Sequence, residues 1–207
     1  MHIPDGILTA PVWAATDMAA AVGLVWAARR STAGLEQSRV PLMGVMGAFV
    51  FAAQMVNFPV PGGSSGHLLG GVLLSLLLGP ASAAVIMFCV LLVQALIFQD
   101  GGVAALEANF INMGLLGSFW GWLALRVSAQ SRDRLRQVVI FSAGWLAVLS
   151  GALLAALELA VSGRVPLGPA LLAMGSVHAL IGLGEGALTL AALRFLQAAG
   201  LQLSAGR

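Results

Sequence analysis

Three histidines, His2, His67 and His178, hold most of the metal-binding chemistry in this chain, and the first stands beside the amino terminus. A primary amine on Met1, the deprotonated amide nitrogen of His2 and the Nδ1 of its imidazole can bind one ion together. The amine–amide ring then has five members and the amide–imidazole ring six. Three nitrogens are held nearly in a plane, with one corner open. Four nitrogens in a square suit Ni(II) or Cu(II), and Co(II) after them, better than tetrahedral Zn(II). The opening stretch MHIPDGIL favours such a fold-back, because Pro4 cannot continue a regular helix and Asp5-Gly6 favours a turn. The competing reading is a frayed terminus with a histidine at position two by chance.

The open corner has a candidate in NFPVPGGSSGHLLGG, residues 57–71. Pro59 and Pro61 favour extended chain and Gly62-Gly63 a sharp turn. Ser64 or Ser65 is expected to cap a helix starting near His67, whose positive end would keep that imidazole neutral and able to donate a lone pair. Against this stands a flexible outer loop with a capped surface histidine. His178 lies in HALIGLGEGALT, seven residues before Glu185. On a helix the two share a face about 10 Å apart, too far to hold one ion together. A buried carboxylate must be paired, so Glu185 is expected to face the bundle interior, and both residues are assigned supporting rather than ligating roles. Gln54, Asn57, Gln94, Gln99 and Asn109 fall towards the same side and are candidates for holding the loops around the ion.

What must position these groups is a set of membrane helices. Of 207 residues, 59% are hydrophobic and only 9% charged, whereas a soluble domain carries roughly 25% charged residues. The apolar runs are long and lack the alternation of a β-barrel. They fall at 11–28, 40–58, 67–79, 80–98, 109–127, 137–161 and 169–196. The predicted fold is an all-α membrane protein, a seven-transmembrane-helix bundle forming one domain, with residues 1–10 as a metal-binding segment ahead of a bundle over 11–207. The third segment is short and bounded by Gly79-Pro80, so it must be tilted, shielded or paired with re-entrant backbone. Nine of the ten arginines fall on one side under this count, with Arg164 alone on the other. That puts the N-terminus outside and the C-terminus in the cytoplasm of the inner (plasma) membrane. The opening is no secretory signal, which would set positive charge before an apolar core.

Absences narrow the function. Without lysine the chain has no G-x-x-x-x-G-K-[ST] phosphate loop, so active transport would draw on an ion gradient or a partner's ATPase. No H-E-x-x-H motif is present, and a closed square of nitrogens leaves no room for an activated water, so catalysis is not expected. The arginines read as topology rather than nucleic-acid affinity. Cys89, the single cysteine, is expected to be buried and inert in its apolar run. Gly117-x-x-x-Gly121 permits close helix approach, within the bundle or towards another subunit. The rival reading is a proton-coupled secondary transporter using Asp17, Glu158 and Glu185.

MHIPDGIL, QMVNFPVPGGSSGHLLGG, ALIFQDGG, NFINMG and HALIGLGEGALT resemble the CbiM/NikM family, the substrate-capture components of energy-coupling-factor transporters for cobalt and nickel. The likeness runs through nearly the whole chain. It implies a seven-helix bundle whose N-terminus inserts into the metal pocket, with Met1, His2 and His67 as ligands and Co(2+) or Ni(2+) as transported substrate. No nucleotide is implied on this chain. The resemblance implies a transmembrane coupling protein of the CbiQ/NikQ type, ATPase subunits of the CbiO/NikO type and a small membrane subunit of the CbiN/NikN type. No fused counterpart of that small subunit is expected after the last span, which tilts the expectation to cobalt, for cobalamin synthesis, with nickel as the alternative.

Overall fold

A computed structural model of the chain describes residues 1–33, 37–56, 58–60 and 64–201. Asn57 lies outside the described residues. Among the described residues seven helices follow one another: α1 Ala10–Ala33, α2 Val40–Gln54, α3 Gly71–Leu78, α4 Pro80–Phe98, α5, α6 Asp133–Val161 and α7 Leu167–Ala198. The last turn of α4, Gln94–Phe98, widens into a π-helix. Helix α5 runs through Leu106–Asn109, a π-turn at Phe110–Leu115, and Leu116–Ser128. Between α2 and α3, strands β1 (Phe58–Val60) and β2 (Ser64–Gly66) pair antiparallel, with Pro59 opposite Ser65.

Among the described residues four helices, α1, α4, α6 and α7, are long and apolar enough to cross a membrane. Of the seven expected spans, four are therefore matched by helices of crossing length among the described residues. Helix α2 has 15 residues, about 22 Å, and α3 has 8, about 12 Å at 1.5 Å per residue, against about 30 Å of hydrocarbon. Large apolar side chains such as Met18, Val22, Trp26, Leu172, Leu180 and Phe195 point outward, as expected where lipid is the solvent.

The short third helix is the feature that makes a site. Ser31 and Ser82 meet at 3.0 Å, so the link between α3 and α4 lies by the C-terminal end of α1, far from the chain's start. From there α3 climbs only part of the way. Residues 67–70 complete the ascent as non-helical chain inside the bundle, where every backbone polar group needs a partner. Glu185 of α7 accepts the N–H groups of Leu69 and Gly70, both at 2.8 Å. Gln54 of α2 donates to the Leu69 carbonyl at 2.7 Å, and His67 Nδ1 meets the Leu68 carbonyl at 2.9 Å. Side chains from two other helices thereby replace the missing turn.

Three expectations change. The α3 helix begins at Gly71, with Gly70 at φ 75 ahead of it and no side-chain cap. Ser64 and Ser65 lie in β2 instead, and the helix's positive end belongs to Glu185 rather than His67. Cys89 is exposed, not buried, since it falls on the outward face of α4, where a thiol tolerates hydrocarbon. Gly117 and Gly121 are consumed within the bundle. A Cβ on Gly117 would stand 3.1 Å from the Gly71 Cα, and one on Gly121 only 2.3 Å from the Ser75 Cβ, so this face packs α5 onto α3 and is closed to another subunit. Gly121→Val is expected to cost about 2–3 kcal/mol through overpacking. Thermal unfolding of the detergent-solubilised protein reads this, and an unchanged midpoint would contradict the close crossing.

Candidate metal centre

The chain start is held in place residue by residue. Ile3 exchanges two hydrogen bonds with one amide: its N–H donates to Asn109 Oδ1 at 2.8 Å, and Asn109 Nδ2 donates to its carbonyl at 3.0 Å. The Gly102 N–H donates to the same carbonyl at 2.9 Å. The Asp5 carboxylate accepts the N–H groups of Val103 and Ala104 at 3.0 and 2.7 Å, which stabilises the first turn approaching α5. Arg164 Nε and Nη2 donate to the carbonyls of Ile7 and Gly6 at 2.6 and 3.0 Å. Gly6, at φ 78, makes the expected turn. Met1, Ile3 and Leu8 are buried, and a Cβ on Gly151 of α6 would come within 3.5 Å of the Met1 Cε.

This anchoring delivers His2 onto His67. The two rings stack with centroids 4.7 Å apart and planes 25° from parallel. His67 is 3% exposed. Its Nδ1 lies against a carbonyl, which can only accept, so Nδ1 carries the proton and Nε2 the lone pair. That Nε2 is buried without a hydrogen-bond partner among the described residues. Leaving such an acceptor unsatisfied costs about 1–3 kcal/mol, and a cation would repay it. Stacked rings do not aim their nitrogens at one point, so closing both on one ion requires one imidazole to turn.

The tautomer of His2 is fixed from the far side. Its Nε2 lies 3.1 Å from Gln94 Oε1. Gln94 Nε2 donates to Gln54 Oε1 at 2.9 Å, and Gln54 Nε2 donates to the Leu69 carbonyl at 2.7 Å. Both glutamines are fully buried. A carbonyl at the end of the relay can only accept, which orients Gln54, then Gln94, and leaves an oxygen facing His2. The neutral imidazole therefore carries its proton on Nε2 and presents a lone pair at Nδ1. This is the nitrogen that a chelate with the Met1 amine and the His2 amide requires.

Burial also readies the amine. It pushes the Met1 amine down to about 6, against a partial opposing pull from the Asp100 carboxylate. For His2, burial again dominates, with Asp100 opposing and the terminal amine adding to the drop, to about 4. At neutral pH both groups hold lone pairs instead of protons.

The remaining candidates divide. Gln54, Gln94 and Asn109 are joined to His2, His67 or the chain start as described. Gln99 ends α4 in the left-handed conformation at φ 54. His178 is 1% exposed. Its Nδ1 donates to the Met174 carbonyl at 2.8 Å, its Nε2 lacks a hydrogen-bond partner among the described residues, and it lies within electrostatic range of His67. Glu185 touches the chain two residues beyond His67, not the ring. Elsewhere Glu158 is bound by Asn112 Nδ2 at 2.7 Å. Among the described residues no group of three or more His, Cys, Asp or Glu side chains is placed to hold an ion, so an ion bound at this centre would draw on main-chain nitrogens. Sequence reasoning missed Asp100 and the terminal-segment role of Arg164. The signal for both was the same, a charge isolated beside Gly-rich turns in a chain with few charges.

The chain is thus a helical bundle in which a buried terminus meets a buried histidine of non-helical chain. The chain superposes on a crystal structure of a truncated transition metal transporter with a TM-score of 0.86, over 96% of this chain and 99% of that one, at 30% identity. Residues 2–203 match the family model CbiM, described as a cobalt uptake substrate-specific transmembrane region. The chain belongs to the CbiM family. A NikMN-type fused nickel transport protein of Archaeoglobus fulgidus is 37% identical over 96% of this chain and 66% of its own length. The cobalt transport protein CbiM of Geobacter sulfurreducens is 36% identical over 91% of this chain and 57% of its own. The chain thus spans about two thirds or less of the length of these two relatives.

Proposed function

We propose that this chain is the membrane-embedded substrate-binding subunit of an energy-coupling-factor importer for a divalent transition metal. The ion is held by the Met1 amine, the His2 amide and Nδ1, and His67 Nε2. The observation that carries this reading is the pairing of Ile3 with Asn109, which seats a buried terminus against a buried, unsatisfied imidazole. Cobalt comes first, because the matching family is described by cobalt uptake. Nickel is the alternative, because fused nickel transport proteins are equally near relatives. The chain itself is non-catalytic. Residues 1–10 act as the binding segment of one transmembrane domain, with the N-terminus outside and the arginine-rich ends in the cytoplasm of the inner membrane. A coupling protein, ATPase subunits and a small membrane subunit supply the rest, ATP hydrolysis driving the reorientation that carries the ion inward. Metal analysis of the purified protein after competition between Co(2+) and Ni(2+) tests the substrate; recovery of neither ion would refute the reading.

Proton competition gives a sharper test. With the Met1 amine near 6, binding above that pH releases only the amide proton, so affinity should rise tenfold per pH unit. Below about pH 6 the amine proton must leave as well, and the slope should steepen to a hundredfold per unit. A solvated terminus, with its amine at the ordinary 8.0, would already follow the steeper line between pH 6 and 8. Calorimetric titrations across that range distinguish the two.

A further inference from the structure

Asp100 is not one of the four nitrogen donors, yet it touches one of them. Its Oδ1 lies 3.3 Å from His2 Nδ1, and it is 30% exposed where the imidazole is 7% exposed, so it stands on the solvent side of the ring. The turn that brings it there is tightly specified. Gln99 is the only described non-glycine residue with positive φ, and the N–H groups of Gln99 and Asp100 both return to the Gln94 carbonyl. Gly101 follows at φ +96, where a Cβ would stand 3.2 Å from both Asn109 Nδ2 and His2 Cδ2. The loop backbone therefore lies flush against the imidazole, and any side chain there would push it away.

What lies between Asp100 and His2 depends on where the proton is. The Leu69–Gln54–Gln94 relay puts it on Nε2, so Nδ1 meets the carboxylate with a lone pair. Two acceptors facing each other repel unless a cation joins them. Donors 3.3 Å apart, each about 2.1 Å from one ion, would subtend roughly 104° at it, between the right angle of a square or octahedral set and the tetrahedral angle. His2 and His67 are stacked and do not converge in this way. The carboxylate and Nδ1 are thus a donor pair close enough to share one ion, on the solvent side of the ring.

We propose that Asp100 is the loading ligand of the centre, taking the hydrated divalent cation from solvent against His2 Nδ1 and passing it to the inner nitrogens. This rests on the cation-capture reading above. A charged oxygen replaces one water of a hydrated ion more readily than a neutral imidazole does, because its negative charge first draws the cation in. The carboxylate's field reaches both the Met1 amine and His2, which are the next donors in line. As His67 turns in and the His2 amide gives its proton to solvent water, the amide nitrogen and His67 Nε2 displace the carboxylate oxygen from the ion, and Asp100 returns to the mouth.

Stopped-flow mixing of Ni(2+) with the detergent-solubilised full chain, followed by the visible absorption of nitrogen-bound nickel, tests this. Asp100→Asn and Asp100→Ser are expected to associate at least about tenfold more slowly than wild type and to lose most of the salt dependence of that rate. Dissociation should stay within about threefold, and Asp100→Glu should keep most of the wild-type rate. Far-ultraviolet circular dichroism checks folding, and the two carboxylate deletions are independent of each other. Association within about twofold of wild type in both deletions, or a loss lying wholly in dissociation, would overturn the proposal and leave the capture reading intact. A wild-type chain that binds no Ni(2+) would sink the capture reading and this proposal together.

Discussion

Replacing His67 by alanine is expected to weaken Ni(2+) or Co(2+) binding by two to three orders of magnitude at neutral pH while leaving the fold in place. Four-donor protein sites bind with roughly 10–16 kcal/mol, so one donor of four is worth about 3–4 kcal/mol, or a factor of roughly 10²–10³. Acetylating the Met1 amine should cost more. It removes a donor, breaks the five-membered ring and puts bulk where Met1 is 7% exposed. Removing the imidazole also relieves a buried, unsatisfied Nε2, so the thermal stability of metal-depleted His67→Ala should be no lower than that of wild type by more than about 1–2 kcal/mol. Calorimetric titration of both variants reads the binding loss. Wild-type affinity in the acetylated chain would mean that the terminus is not a ligand.

Glu185→Ala is expected to be the most destabilising single change in the bundle. Its carboxylate alone satisfies two backbone N–H groups in the re-entrant segment, at a depth where water is scarce. Each orphaned donor costs about 1–3 kcal/mol, and the lost side chain adds a cavity, for a total of about 3–5 kcal/mol. Glu185→Gln keeps one acceptor but turns an NH₂ towards the second N–H, so roughly half of that loss is expected. Because Leu69 and Gly70 fix the position of His67, metal affinity should fall in step with stability. In His67→Ala, by contrast, adding Glu185→Ala should lower stability by the same amount and change binding little. Thermal unfolding in detergent and calorimetry on the same preparations separate these effects. Glu185→Ala with a wild-type midpoint would remove the account of the re-entrant chain.

Periodicity and punctuation made some of this legible. Gly79-Pro80 marks a break that sequence alone can date to the residue, and α4 begins there. The long apolar runs that became α6 and α7 needed no further information. The shortness of α3 was also readable, since too few residues remained to cross the bilayer. The groups that complete its backbone were not. Glu185 lies 116 residues from its partner N–H, and a main-chain acceptor or donor leaves no side-chain signature. The misplaced start of α3 has a local cause. A serine pair ahead of an apolar run is a good cap signal, but Gly70 at φ 75 lets the chain stay extended for four residues more. Within the centre, chelate arithmetic pointed to Met1 and His2 before any coordinates. The bonds that set the lone pair of His2 on Nδ1 come from α2 and α4, and only the fold brings those two helices to one ring.

The central claim is that the polypeptide's own first two residues and His67 enclose the ion in a nitrogen plane. X-ray absorption spectroscopy of the nickel-loaded, purified protein tests it most directly. The account requires a first shell of four short nitrogen distances with a planar edge signature, lost on acetylation of the Met1 amine. A six-coordinate, oxygen-dominated shell, unchanged by acetylation, would contradict it.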